Sequence, residues 1–139
     1  MRKFGAITAA TAALFATIPF VTGATAGAAE SQCWITKPVP VTNEGVWTYS
    51  FQVLWCAGGT KITRVEGTVT HEVLNQACTW AGRLDDSVTP AEDGTGLTVK
   101  DVSGFKCPAD ISAKGVNPWV IVTVRPNGTY TVVQTGKHL

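Results

Sequence analysis

Large apolar residues occupy every second position between residues 47 and 55, and the positions between them are mostly polar. The apolar members of this run are Trp47, Tyr49, Phe51, Val53 and Trp55. Side chains two residues apart point to the same face of a β-strand. The run therefore predicts a central strand that packs one apolar face against a hydrophobic core.

Similar alternation recurs further along the chain. Residues 64–73 place valines on one face and charged or hydroxyl side chains on the other, which is typical of an antiparallel strand with one solvated face. Residues 119–125 and 129–135 flank the turn sequence Asn127-Gly128, so they predict a β-hairpin. Shorter strands are predicted at residues 33–36, 78–83 and 97–102. Loops are predicted at Asp85–Gly96 and Ser103–Pro118.

No part of the chain beyond residue 29 shows clear helical periodicity, and turn sequences separate the strands at short intervals. Six or seven antiparallel strands of this kind indicate an all-β fold, either a small β-sandwich or a small barrel. The chain has 139 residues, which is enough for one such domain after the N-terminal segment is set aside.

The first 29 residues have the composition of an export signal. The dipeptide Arg2-Lys3 is followed by an uncharged apolar stretch, Phe4–Val21, and then by the small residues of Gly23–Ala29. This three-part order predicts a signal peptide that is cleaved at the end of the small-residue run. We therefore assign residues 1–29 to the signal peptide and residues 30–139 to a secreted β domain, with no membrane anchor after cleavage.

All the cysteines follow the predicted cleavage site; they are Cys33, Cys56, Cys78 and Cys107. An even number of cysteines in a small exported domain indicates disulfide bonds. Turn-like sequences lie midway between the first two cysteines, at Thr42–Gly45, and midway between the last two, beside Asp93-Gly94. Strands folded back about these turns would bring each pair together, so we predict the disulfides Cys33–Cys56 and Cys78–Cys107.

Charge and residue inventory argue against several functions. The formal net charge is +1 and the basic residues of the domain are scattered, which gives no long-range attraction to nucleic acid. The two histidines are His71, in the apolar phase of a predicted strand, and His138, beside the C-terminus. With every cysteine assigned to a disulfide, we expect no catalytic, cofactor or metal site.

Two acidic pairs, Asp85-Asp86 and Glu92-Asp93, lie in a predicted loop. Loop carboxylates are ligands for hard cations such as Ca²⁺, but this spacing matches no calcium-binding loop. We interpret both pairs as solvated surface residues.

Tryptophan is frequent in this chain, with five residues. Trp47 and Trp55 belong to the core phase of the central strand. Trp80 and Trp119 lie beside the two predicted loops, where recognition residues on a β scaffold are commonly found. We predict that these two residues bind the partner, and we expect that replacing either with alanine leaves the melting temperature nearly unchanged.

The segment Lys106–Asp110 is a second candidate for recognition. A disulfide at Cys107 and the proline that follows it would rigidify an exposed loop, and a rigid loop loses little entropy on binding. Small secreted protease inhibitors present such a loop to the protease cleft. Lys106, Pro108 and Ala109 would be the contact residues in this case.

Together, these observations predict a secreted, non-enzymatic binding protein. Its partner would be an extracellular protein, an envelope component or a small ligand. The alternatives are a protease inhibitor that uses Lys106–Asp110, a structural or adhesive envelope protein that acts through an exposed edge strand, and a small hydrolase with His71 as its base.

Overall fold

The computed structural model describes residues 30–138, and in this range the chain forms eight β-strands and one short helix. The all-β prediction is confirmed, with more strands than the six or seven expected. The predicted signal peptide, residues 1–29, lies outside the described residues. The elements are β1 (Gln32–Ile35), β2 (Val39–Asn43), β3 (Trp47–Gly58), β4 (Lys61–Val73), β5 (Thr79–Pro90), β6 (Leu97–Lys106), α1 (Ala109–Ser112), β7 (Trp119–Val124) and β8 (Tyr130–Gly136).

Strands β1 to β4 form the first sheet, which is built around β3. One edge of β3 pairs antiparallel with β1 and β2 in turn, and the other edge pairs with β4. Thr36 fills the gap between β1 and β2, because its N–H donates to the Val53 carbonyl at 2.9 Å and its hydroxyl accepts from the Val53 N–H at 3.1 Å. The sequence pattern missed β2 because Pro40 lies within it. An edge strand tolerates a proline, since not all of its N–H groups face a partner.

Strands β5 to β8 form the second sheet, in which each strand pairs antiparallel with the next one along the chain. Strand β5 continues to Pro90 and β6 to Lys106, so the predicted loops Asp85–Gly96 and Ser103–Pro118 are wrong where they overlap these strands. Strand β5 lies at an edge of the sheet and is exposed over most of its length. Its residues therefore lack the alternation of apolar and polar side chains that reveals a strand in the sequence.

The helix α1 is the one helical element of the described chain, and the sequence predicted none. It begins after Pro108, whose backbone is extended with φ −55° and ψ 155°. Among residues 30–138, no helix is long and apolar enough to cross a membrane.

Side chains from both sheets meet in one core. The predicted apolar face of β3 is confirmed, because its five alternate residues are at most 1% exposed. Trp47 stacks on Phe105 of β6 with ring centroids 4.7 Å apart, and the Trp55 indole N–H donates to the Arg125 carbonyl at 2.9 Å. No strand of the first sheet is hydrogen-bonded to the second sheet in the described part of the chain, so the strands do not close into a barrel.

Two disulfides tie the strands together, and their pairing is the one that hairpin geometry favoured. Cys33 and Cys56 are directly opposite each other on β1 and β3. Cys78 and Cys107 join the residue before β5 to the residue after β6. Beside the first disulfide, Trp34 is directly opposite Trp55 in the strand register, and their ring centroids are 5.8 Å apart. None of the described cysteines is free.

Candidate functional site

The second sheet turns one face towards the core and the other towards solvent. Along β7, the side chains of Val120, Val122 and Val124 are fully buried against the first sheet. The alternate residues Trp119, Ile121 and Thr123 therefore lie on the opposite face. We call this opposite face of β5–β8 the outer face.

The strand register arranges the residues of the outer face in rows that cross all four strands. The first row is Asp85, Val102, Trp119 and Gly136. The second row is Ser87, Lys100, Ile121 and Gln134. The third row, which we call the threonine row, is Thr89, Thr98, Thr123 and Thr131.

The threonine row places four hydroxyl groups across the sheet, one on each strand. Neighbouring strands are about 4.8 Å apart, which sets the spacing of the row. The hydroxyls of Thr98 and Thr123 are 3.1 Å apart and share a hydrogen bond, and the Arg125 guanidinium donates to the Thr131 hydroxyl at 3.1 Å. Threonine is a good strand former, so its abundance here has a structural reason as well. Its hydroxyl can both donate and accept.

A groove of about 520 Å³ opens on the outer face beside this row. Its floor is made by Thr98, Ile121 and Thr123, which belong to the two central strands of the sheet. One wall runs from the end of β5 into the turn that follows it, residues 89–93, and the opposite wall includes Val133 and Gln134 of β8. Beyond the floor, the lining residues are Thr89, Pro90, Ala91, Glu92, Asp93, Arg125, Val133 and Gln134. Volumes of this size are typical of small-ligand sites.

The wall of the groove is held by the turn between β5 and β6. The Ala91 N–H donates to the Gly96 carbonyl at 3.0 Å, and the Gly94 N–H donates to the Ala91 carbonyl at 2.9 Å. A Cβ atom at Gly96 would lie 2.1 Å from the Val124 carbonyl oxygen, so only glycine allows this turn to approach β7 so closely. The wall is therefore fixed against the strand that supplies the floor.

Most of the charged groups around the groove are paired within the protein. The Arg125 guanidinium lies 3.6 Å from the Asp93 carboxylate, and on the same face the Lys100 ammonium lies 3.3 Å from the Asp85 carboxylate. The backbone N–H and the hydroxyl of Thr95 lower the pKa of Asp93 below its usual range, and Arg125 adds to this effect. Glu92 is the remaining charged group in the lining, and it is exposed.

Trp119 lies on the same face, two residues from Ile121 of the groove floor. Its indole covers the backbone of β8, because a Cβ atom at Gly136 would lie 2.5 Å from the ring. The indole N–H donates to the His138 carbonyl at 2.8 Å, which fixes the orientation of the ring. The half-buried ring of Trp119 thus forms a rigid platform next to the groove.

Trp80 lies on the other face of the same sheet. Its ring contacts the buried Phe105 edge-on at 5.0 Å and stacks on His71 of β4 at 3.8 Å between ring centroids. The two tryptophans that the sequence singled out therefore do not belong to one surface. Trp80 is half-buried between the sheets at the edge of the core.

The segment Lys106–Asp110 does not form an extended loop. Lys106 is the last residue of β6, and the chain enters α1 directly after Pro108. Ala109 and Asp110 lie in this helical turn, which the Ser112 hydroxyl closes by donating to the Cys107 carbonyl at 2.9 Å. Side chains in a helical turn point in different directions, so this geometry does not favour the protease-inhibitor alternative.

The histidine and carboxylate side chains considered for catalysis or metal binding do not form a cluster. His71 is exposed and packs on Trp80. Asp85 and Asp86 pair with different basic residues, Lys100 and Arg83. Within residues 30–138, no group of three or more histidine, cysteine, aspartate or glutamate side chains could hold a metal ion.

The structure also contains a buried polar network that was not predicted from the sequence. Asp101 is fully buried and faces the core. Tyr49 and Ser103 donate to its Oδ2 at 2.6 and 2.8 Å, and the Arg83 Nε donates to its Oδ1 at 2.5 Å. Burial raises the pKa of Tyr49 above its ordinary value, and the hydrogen bond to Asp101 adds to this effect. All buried side-chain polar atoms in the described chain have partners, so the network leaves no unsatisfied polar group in the core.

The signal for this network was present in the sequence. Residues 97 to 105 alternate as a strand, and the inward phase contains Asp101 and Ser103 between Val99 and Phe105. Polar residues in an apolar phase indicate a buried network.

Comparisons with known proteins identify no relative of this chain. No protein-family model matches it, and no curated protein or solved structure is significantly similar to it.

Proposed function

We propose that the protein is a secreted, non-enzymatic binding protein, built as a β-sandwich, that holds its ligand on the outer face of the second sheet. The observation that carries this proposal is the groove of about 520 Å³ beside Trp119. Its floor belongs to the hydrogen-bonded ladder between β6 and β7, and its wall is fixed by the turn at Gly96. A site on rigid elements loses little entropy when the ligand binds.

The position of Trp119 supports this reading of the groove. An indole that is held by a backbone hydrogen bond and lies flat on the sheet adds a large contact area without rotamer freedom to lose. This retains one of the two tryptophans that the sequence suggested and moves the proposed site from loop ends to a sheet face. The hydrolase alternative has less support, because the ring of His71, its candidate base, is stacked on Trp80.

Secretion is supported by the two disulfides, which persist in oxidising compartments. The mass of the intact protein from culture supernatant tests this part of the proposal. We expect a chain that begins near Ala29 or Glu30, and a secreted product that still carries residues 1–28 would contradict it.

Binding at the groove is tested by substitution on its floor and on a distant strand. Ile121→Glu places a charged side chain in the groove, whereas Thr70→Glu places one on the exposed β4 of the first sheet. Each variant is screened beside the wild type against immobilised peptides, glycans and cell-envelope fragments, and its folding is checked by near-ultraviolet circular dichroism. We expect Ile121→Glu to abolish a binding signal that Thr70→Glu retains. Equal binding by the two variants would refute the site.

A further inference from the structure

We infer that the groove and Trp119 together bind a neutral polysaccharide chain. This inference rests on the proposed function and names the chemical class of its ligand. It follows from four features of the outer face: its hydroxyl groups, its aromatic platform, its charge and its length.

The polar groups that face the groove suit a polyhydroxyl ligand. Thr89, Thr98 and Thr123 present hydroxyls, and Gln134 presents an amide. Each of these groups can donate and accept, as each sugar hydroxyl can. Because Thr98 and Thr123 already share one hydrogen bond, they are held in place before a ligand arrives.

The ring of Trp119 suits the apolar side of a sugar. An indole face carries partial negative charge and attracts the polarised C–H groups of a ring that lies on it. The contacts of this indole with Gly136 and with the His138 carbonyl hold its plane along the sheet surface. A sugar ring that follows the sheet would lie flat on it.

The charge of the surface favours an uncharged ligand. Arg125 and Lys100 each lie beside a carboxylate, which offsets their attraction for an anionic polymer. Glu92 on the wall would repel such a polymer. The lining holds two exposed carboxylates, Glu92 and Asp93, and the second lies beside Arg125, so a polycation with its high charge density would find little net negative charge there.

The length of the surface requires more than one sugar. Thr123 lies four positions after Trp119 along β7, which corresponds to roughly 13 Å in an extended strand. A single sugar ring cannot contact the indole and the threonine row at the same time. The ligand is therefore a chain that runs along the direction of β7.

Affinity electrophoresis and calorimetry test this inference on the wild-type domain. The probes are four neutral soluble polysaccharides (an α-glucan, a β-glucan, a galactomannan and an arabinoxylan) together with polygalacturonate as a polyanion and chitosan as a polycation. We expect at least one neutral polymer to retard the protein, with little dependence on salt. Its oligosaccharides should bind at least tenfold more tightly than the monosaccharide.

Matched variants connect this binding to the outer face. Trp119→Ala and Thr98→Val should each weaken binding of the neutral polymer, the first at least tenfold. Thr68→Val removes the same hydroxyl from exposed β4 and should change nothing. Valine keeps the branched shape of threonine, so folding is preserved in both valine variants, and thermal melts verify this.

The outcomes separate the ligand class from the site. The inference of a neutral polysaccharide ligand is overturned if only a charged polymer retards the protein. It is also overturned if the monosaccharide binds as tightly as longer chains. Failure of every neutral polymer overturns it as well. If a peptide or protein probe then binds and Ile121→Glu abolishes that binding, the proposed function stands without this ligand. If no probe shows binding that depends on the groove, both proposals fall.

Discussion

Removing the Asp101 carboxylate should cost more folding free energy than any surface charge in this protein. Asp101 is fully buried, and its two oxygens accept hydrogen bonds from Tyr49, Ser103 and Arg83. In Asp101→Ala the hydroxyls of Tyr49 and Ser103 lose their acceptor inside the core, and Arg83 loses its buried partner. Breaking a buried charged network in this way costs about 3–5 kcal/mol. We place this variant near the lower limit, because the side chain of Arg83 is 35% exposed and can reach water.

A double-mutant cycle with Tyr49 isolates one bond of the network. Tyr49→Phe in the wild-type background removes a hydrogen bond to a charged acceptor and should cost about 2 kcal/mol. In the Asp101→Ala background the same substitution removes a hydroxyl that has already lost its partner, so its cost should fall to about zero. The coupling energy between the two positions is then about 2 kcal/mol. Both single variants should still fold, because a domain of this size is stabilised by roughly 5–15 kcal/mol.

Urea unfolding measures these free energies, with fluorescence of the buried Trp47 and Trp55 as the signal. Asp85→Ala is the matched control, because Asp85 is 57% exposed and pairs with Lys100 at the surface. Its cost should stay below about 1 kcal/mol. Costs of Tyr49→Phe and Asp101→Ala that add within about 0.5 kcal/mol would show that the two side chains are not coupled. A cost of Asp101→Ala no larger than that of the control would show that the buried network does not stabilise the fold.

Trp80→Ala should lower the melting temperature by about 10 °C, because it removes a half-buried ring worth about 2 kcal/mol that packs against the core. Trp119→Ala should lower it less, because this ring lies on the outer face and is not part of the core cluster; equal shifts in calorimetry would contradict the larger contribution of Trp80 to folding. Raising the pH above about 10 should destabilise the wild type more than it destabilises the Tyr49→Phe variant. The pKa of Tyr49 is raised in the folded state, so its contribution to stability is complete below the unfolded pKa of about 10 and is lost as the pH rises above it. Urea midpoints that fall equally in both proteins between pH 8 and 11 would disprove this. Gly67→Ala should cost about 1–3 kcal/mol, because the new Cβ would lie 2.7 Å from the buried ring of Phe51; an unchanged urea midpoint would show that the ring moves freely.

The parts of the fold that the sequence predicted are those where burial alternates strictly. Strand β3 packs one face on the core along its length, so its hydrophobic period of two was visible. Edge strand β5 has no such contrast, and its acidic residues suggested a loop. The disulfide partners followed from turn positions, because antiparallel register is local when a short turn joins two strands.

The outer face could not be predicted in the same way, because its rows depend on irregularities in the ladder. In β8 an extra residue, Val133, shifts the register after Ile121, so that Thr123 faces Thr131. Without this β-bulge, Thr123 would face Val132 and the threonine row would be incomplete. Trp119 was selected from the sequence for its position beside an irregular segment, and the flat placement of its ring depends on Gly136 across the strand pair.

The floor and the wall of the groove belong to different parts of the chain, the first to strands that also form the core and the second to a surface turn. The floor belongs to β6 and β7, whose inward residues also build the core, so changes there affect stability. The wall is a surface turn whose tip, at Asp93-Gly94, makes no contribution to the core cluster. Insertions at such tips are well tolerated. Lengthening this turn would therefore reshape the groove while the residues of the core stay unchanged, which makes residues 92–95 the natural point for diversification in a designed library.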